Sequence, residues 1–366
     1  MTRPLDIVFL GLALSSSWGN GHATTYRALI KGLRPDGHRV LFLERDVPWY
    51  ADHRDLATPD FCELAYYSDL DAMIALYGER LRNADAVIVG SYVPQGVALI
   101  DKLEALGPNR LCFYDIDTPV TLAKLDRGDE EYVAKRQIPT FDAYFSFSGG
   151  EVLTRLEQNF GAQKAVALYC SVDQERYANT GEPPIWDLGY LGTYSPDRQP
   201  TLERLLLEPA RRLPGMRFVV AGPQYPAEID WPSNVERIEH LAPADHASFY
   251  SRQRFTLNVT RSDMISAGWS PSVRLFEAAA CGTPVISDNW RGLDELLPDG
   301  EALIVARGAD DVMLALMELS ERERMAIAAA AKGRVLDGHT GAVRAGELVR
   351  ILSNLPISPA YERISA

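Results

Sequence analysis

Short apolar runs alternate along the chain with longer stretches whose apolar positions recur at helical spacing. Asp6 to Leu10, His38 to Leu43, Ala86 to Val89, Arg110 to Tyr114 and Ala143 to Ser146 are runs of the first kind. Between them, Thr24 to Leu33, Leu70 to Asn83 and Gly96 to Leu106 read as helices. Apolar strands without polar alternation belong in a parallel sheet covered by helices on both faces. The second half repeats the grammar, with strands at Leu188 to Leu191, Arg217 to Ala221, Phe255 to Val259 and Thr283 to Ser287. Its helices are Leu202 to Leu213, Ser272 to Ala280 and Asp310 to Val335. The pattern predicts two Rossmann-like, doubly wound parallel-sheet domains of the α/β class. The clearest break between them is Asp173 to Pro184, where Asn179-Thr180-Gly181-Glu182-Pro183-Pro184 interrupts both periodicities.

Composition narrows the function classes. The 366 residues are 46% apolar and 24% charged, an ordinary globular balance with enough chain for two or more cores. The formal charge of -13, from 37 basic and 50 acidic side chains, argues against nucleic-acid partners and against docking on anionic lipid. Cys62, Cys112, Cys170 and Cys281 are widely spaced, and with the scattered histidines they show no metal-ligand spacing. No apolar run approaches the roughly 18 residues of a membrane span. Ile7 to Leu14 follows Asp6 and reads as a strand rather than a signal peptide. These features predict a cytoplasmic protein with no integral membrane segment.

In a doubly wound domain, ligands bind beyond the carboxyl ends of the strands. Two such domains facing across a cleft would put their chemistry just after strands. The first candidate loop is Ser15-Ser16-Ser17-Trp18-Gly19-Asn20-Gly21-His22, where Gly19 and Gly21 allow close backbone approach and positive φ. Glu44 ends the second strand at the distance of a dinucleotide's ribose-binding acid, but Thr24 stands where the third glycine of that fingerprint belongs. A tight turn with a solvated His22 is the plainer alternative. The second candidate is Gly268 to Ile286: Ser270 reads as an N-cap, Pro271 as the first helical residue, and the turn as an anion seat. Ser270, Arg274 and Glu277 would share one helical face, suiting phosphates at the turn and ribose hydroxyls at the carboxylate. A capped helix with a surface Arg274–Glu277 pair is the bland version. Gly192 opens a third loop, in which Arg198 could neutralise a diphosphate, and Arg261 follows the next strand but one in the same way. Trp49, Tyr50, Tyr66, Tyr67 and Tyr92, read as loop residues of the first domain, are compatible with stacking on an acceptor sugar, although core packing is the commoner fate.

Several segments resemble group 1 glycosyltransferases. Leu168-Tyr169-Cys170-Ser171-Val172-Asp173-Gln174-Glu175-Arg176-Tyr177 is similar to their NGVDxxxF entry into the second domain. Phe218 to Pro223 resembles their VGxGP strand, Phe276 to Ser287 their EAMAxGxPVV signature, and Gly292 to Val305 their GxxELIxxGxxGxLV return. The N-terminal GHATTYRALIKGL…GHRVLFLERD is similar to the CgeB-like, spore-maturation-type branch. The resemblance implies a GT-B fold: an acceptor domain at 1–173, a nucleotide-sugar donor domain at 174–345, and a segment at 346–366 that crosses back to the first. It implies that Glu277 holds the donor ribose, while Arg198 and the Ser270–Ser272 turn hold the diphosphate. Trp269 stands where many members carry a second glutamate that touches the donor sugar, which leaves the sugar and the stereochemical course open.

His22 occupies the place where inverting enzymes of other GT-B branches keep a base, and Asp117, in the loop after the fourth strand recognised here, could orient it; Asp115 is the competitor. If configuration is retained, His22 would bind acceptor or phosphate instead. The expected protein transfers a hexose-type sugar from a nucleotide diphosphate donor to a small-molecule, glycan or protein acceptor. It is expected to need no metal or other cofactor, because Arg198, Arg274 and the helix N-terminus can stabilise the leaving diphosphate. A nucleotide-sugar epimerase and a catalytically silent nucleotide-sugar-binding homologue are the alternatives, with a nicotinamide-dependent oxidoreductase more distant.

Overall fold

The structure is a computed structural model that describes residues 3–18 and 21–357. The chain divides into two compact units, one of residues 1–171 with 341–366 and one of residues 172–340. The division falls two residues before the sequence-based boundary at 173, and the return to the first unit comes five residues before 346.

The first unit carries seven strands: β1 (Asp6–Gly11), β2 (Arg39–Arg45), β3 (Glu63–Tyr67), β4 (Ala86–Gly90), β5 (Leu111–Asp115), β6 (Ala143–Ser146) and β7 (Ala165–Ala167). They form one sheet in the order β3-β2-β1-β4-β5-β6-β7, every pairing parallel. The central strands are buried throughout, so both faces demand apolar side chains, as their uninterrupted runs foretell. β3 was not recognisable in that way. It is half-exposed along most of its length, and it places Tyr66 and Tyr67 in a strand rather than in a loop.

The helix Gly341–Asn354 belongs to this unit and lies against the helix His22–Leu33. The approach is close because glycines meet backbone. A Cβ on Gly32 would stand 2.3 Å from the carbonyl oxygen of Gly341, and one on Gly341 would stand 2.0 Å from that of Ala28. Beyond the helix, Arg110 donates two hydrogen bonds to the Leu355 carbonyl, at 3.2 and 2.9 Å.

The second unit carries β8 (Trp186–Leu191), β9 (Phe218–Ala221), β10 (Val235–Ile238), β11 (Gln253–Asn258), β12 (Val285–Ser287) and β13 (Ile304–Val305). Their order is β10-β9-β8-β11-β12-β13, again all parallel. Its core packs Leu205, Leu206 and Leu207 against Leu188, Tyr190, Phe218 and Phe255. The stretch from Asp310 to Val335 is two helices rather than one, Ala309–Glu318 and Glu321–Gly338. Ser320 starts the second by accepting the Glu323 N–H while the Glu323 side chain accepts the Ser320 N–H, a reciprocal cap.

Both sheets reverse direction of strand order at their first strand. The loops after β1 and β4, and those after β8 and β11, therefore diverge from a switch point, where doubly wound sheets bind ligands.

Candidate functional site

In the first unit, the loop leaving β1 is held from three sides. Glu44, fully buried at the end of β2, accepts the Leu14 N–H at 2.7 Å, the Ser15 N–H at 2.9 Å and the Ser15 hydroxyl at 2.6 Å. A carboxylate so engaged is a loop clasp, not a ribose ligand. Arg27 donates Nε to the Leu14 carbonyl and both terminal nitrogens to Asp55, each at 2.8 Å. Burial opposes ionisation of Asp55, but hydrogen bonds from Arg27 and Ser17 outweigh it and bring it down to about 2. Gly19 lies outside the described residues. Gly21 has φ -83°, ordinary right-handed backbone, and a Cβ there would meet nothing, so the positive φ anticipated at this glycine is not used.

The held loop delivers His22 at the start of its helix. His22 Nε2 lies 2.7 Å from Asp117 Oδ2, so the two residues named from separate loops meet. His22 Nδ1 is buried and has no partner. Tyr92, in left-handed backbone at φ 61° after β4, sets its ring edge-on to His22 at 5.9 Å and packs on Tyr132 at 4.5 Å. Asp115, the competitor for Asp117, serves the interior. It is fully buried, accepts the Tyr144 hydroxyl at 2.5 Å and the Thr121 hydroxyl at 2.8 Å, and burial raises it to about 6.

In the second unit, the loops after β8 and β9 abut. A Cβ on Gly192 would come within 2.5 Å of the Tyr190 hydroxyl and 3.0 Å of Arg274 Nη2, so the glycine makes room for that guanidinium. Gly222, at φ +138°, would put a Cβ 2.2 Å from the Gly192 carbonyl oxygen. Arg274 donates Nε to the Leu191 carbonyl at 2.5 Å and Nη1 to Asn258 Oδ1 at 3.0 Å, over the Tyr190 ring. Arg198 donates to the Thr193 carbonyl at 2.6 Å, and its buried Nε has no partner. Burial lowers the Arg198 pKa, Tyr190 opposes this, and the charges of Arg274 and Arg261 lower it further. Arg261 is exposed at the cap of the short helix Ser262–Ala267. Among the described residues, none of the three arginines has a carboxylate partner within ion-pair distance. Clustered guanidinium charge without a counter-charge is suited to a polyanion.

The turn ahead of the helix Val273–Ala280, which carries Arg274 and Glu277, departs from the sequence reading. Gly268 and Trp269 both take positive φ, 70° and 43°, so the helix begins only at Val273 and Ser272 holds the cap position. Ser270, fully buried, donates to the Gly268 carbonyl at 2.8 Å instead of capping, and Pro271 lies outside the helix. Ser272 donates to Asn258 Oδ1 at 2.8 Å, joining Arg274 on one acceptor. Ser270 therefore does not share the helical face of Arg274 and Glu277. Glu277 is buried and forms no surface pair with Arg274: it accepts the Tyr250 hydroxyl at 3.2 Å and that of Tyr177, which in turn meets His246 Nδ1 at 3.2 Å. Asn258, Tyr250 and Tyr177 were missed by sequence reasoning. Asn258 alone left a signal, as a polar residue closing an apolar strand. Among the described residues, no group of His, Cys, Asp and Glu is arranged to hold a metal ion, and no helix is long and apolar enough to cross a membrane.

Residues 198–350 match the family described as Glycosyl transferase-like. D-inositol 3-phosphate glycosyltransferase of Mycolicibacterium smegmatis is 28% identical over 152 residues, 39% of this chain. The match spans 34% of that relative's length. The solved sucrose-phosphate synthase of Thermosynechococcus elongatus superposes with a TM-score of 0.74 at 14% identity, over 95% of this chain and 99% of the other. Anabaena HepE in complex with UDP and glucose superposes with a TM-score of 0.68 at 13% identity, over 96% and 100%. The fold is GT-B. The family model and the curated relative support the resemblance to group 1 glycosyltransferases over the part they cover.

Proposed function

We propose that the protein is a glycosyltransferase that moves a hexose-type sugar from a nucleoside diphosphate donor to a small-molecule, glycan or protein acceptor. The observation that carries this reading is the unpaired guanidinium cluster of Arg198, Arg261 and Arg274 at the switch point of the second sheet. A diphosphate seated there would find charge-assisted donors already fixed by the Leu191 and Thr193 carbonyls and by Asn258. Negative charge growing on the leaving diphosphate would be met by that cluster, so the transfer is proposed to run without a metal. Glu277, held by Tyr250 and Tyr177 on the same helix as Arg274, is proposed to receive the donor's ribose hydroxyls. In the first unit, the His22–Asp117 pair is proposed to receive the proton of the incoming acceptor hydroxyl.

HepE, solved with UDP and glucose, supports a sugar-nucleotide donor. The GHATTYRALIKGL motif supports a place in the CgeB-like branch, and four widely spaced cysteines that form no disulfide suit a reducing, cytoplasmic setting.

The test is a thermal-shift panel of nucleoside diphosphates and nucleotide sugars, with NAD and NADP included, on wild type and Glu277→Ala. Ligand that binds only the folded state raises its melting temperature. A shift with one diphosphate family, weakened in the variant, is expected. A shift with nicotinamide nucleotides alone would overturn the reading. Activity that survives a chelator is the corresponding expectation for metal independence.

A further inference from the structure

The pair formed by His22 and Asp117 has a polarity that its residue types do not reveal. A carboxylate can only accept, so the 2.7 Å contact between Asp117 Oδ2 and His22 Nε2 places the proton on Nε2. In the neutral ring the lone pair is then on Nδ1. That nitrogen is buried, has no protein partner, and lies in a side chain only 10% exposed. The Asp117 side chain is 34% exposed, and its second oxygen, Oδ1, takes part in no hydrogen bond among the described residues. The atom of this pair that an arriving hydroxyl can reach is therefore a carboxylate oxygen, not an imidazole nitrogen.

The surroundings fix this arrangement rather than leave it to chance. His22 opens a helix whose preceding loop is clasped by Glu44 and braced by Arg27, and Tyr92 closes one edge of the ring. Asp117 opens the helix Thr118–Asp126, but its side chain makes no cap bond, so the carboxylate is available for other work. Its own N–H is tied to Asp115 Oδ1 at 3.2 Å, which anchors the backbone beneath it.

We propose that Asp117 is the group that receives the acceptor hydroxyl, and that His22 is a positioning residue that holds the carboxylate through its Nε2–H. This rests on the glycosyltransferase reading, with inversion at the anomeric carbon, and reverses the order of roles that the residue types suggest. As the hydroxyl oxygen bonds to the anomeric carbon, the bond from that carbon to the diphosphate oxygen breaks. The bonding pair leaves with the diphosphate, and the hydroxyl proton passes to Asp117.

Two measurements on the full-length protein test it. The first is 15N NMR of histidine-labelled wild type and Asp117→Asn. His22 is expected as the Nε2–H tautomer with Nδ1 unprotonated, and Asp117→Asn is expected to shift its Nε2 resonance. An Nδ1–H tautomer would overturn the proposal whatever the enzyme's substrate. The second is UDP release from UDP-glucose with water as acceptor, in wild type, His22→Gln, His22→Ala and Asp117→Asn, each first shown to melt cooperatively. A glutamine amide can still donate to Asp117, so His22→Gln should stay within about tenfold of wild type while Asp117→Asn falls by about a hundredfold or more. His22→Gln as inactive as His22→Ala, with Asp117→Asn the milder lesion, would return the base to histidine and sink the proposal. If wild type neither binds nor cleaves UDP-glucose or any other sugar nucleotide of the thermal-shift panel, the functional reading fails. The tautomer then still decides the polarity of the pair.

Discussion

Replacing Glu44 by alanine separates its two conceivable roles. The carboxylate is fully buried and accepts from two backbone N–H groups and one hydroxyl, all in the loop that leads to His22. Alanine would leave the Leu14 and Ser15 N–H groups buried and unpaired, each at a cost of about 1–3 kcal/mol. The Ser15 hydroxyl can rotate toward another acceptor and is left out of the sum. The loss is therefore about 2–6 kcal/mol, a large share of the about 5–15 kcal/mol that holds a domain folded. For a unit of this size that corresponds to a fall in melting temperature of about 2–4 °C per kcal/mol. Circular dichroism melts of wild type and Glu44→Ala would show it, with the melting temperature of the first unit lowered by about ten degrees. A melting curve unchanged within a degree, together with lost nucleotide binding, would refute the clasp and restore the ribose-binding role.

The other expectations concern the second unit and the buried acid. Arg198→Ala should weaken nucleoside diphosphate binding by about 10- to 100-fold, because one charge-assisted contact is worth about 1.5–3 kcal/mol; calorimetry at two salt concentrations would check this, with the deficit shrinking at high salt. Gly222→Ala should destabilise the second unit and impair donor binding, since its Cβ would stand 2.2 Å from the Gly192 carbonyl at φ +138°, whereas Gly21→Ala should melt like wild type. Asp115 is raised to about 6 by burial, so ionising it opposes folding. Its contribution, about 3 kcal/mol, is fully present below pH about 4, the ordinary carboxylate range, and is lost as pH rises through about 6. Melts of wild type and Asp115→Asn from pH 4 to 8 should diverge in that sense, and parallel curves would contradict it.

Much of the architecture was legible because the inner strands are fully buried and therefore read as unbroken apolar runs. The strands that escaped are short or half-exposed: Glu63–Tyr67, Ala165–Ala167, Val235–Ile238 and Ile304–Val305 have too few buried positions to leave a period. Local chemistry was harder to read. Ser270-Pro271 carries a helix-start signature, yet two left-handed residues ahead of it delay the helix, and no sequence pattern reports a tryptophan at φ 43°. Trp269 keeps that conformation because Arg291 accepts its N–H at 2.6 Å, Glu295 accepts its indole N–H at 2.9 Å, and Gly292 leaves space for the ring. Glu44 misled for a related reason. Its spacing from the glycine loop fits a dinucleotide site, while its hydrogen bonds run to Leu14 and Ser15, a connection that exists only after the sheet has formed. His22 and Asp117 could be paired in advance because each follows a strand of one sheet, but which atom of the pair faces outward could not.

The glycine contact between the helices His22–Leu33 and Gly341–Asn354 bears on the order in which the protein assembles on the ribosome. The second unit is one uninterrupted stretch, residues 172–340, and is complete in sequence before the last helix of the first unit has been made. Until then the helix that carries His22 has one flank uncovered, with Ala28 and Gly32 presenting backbone to water. Closing that flank joins residues more than 300 positions apart, the kind of pairing that slows folding. The first unit to be translated is thus the last to be finished.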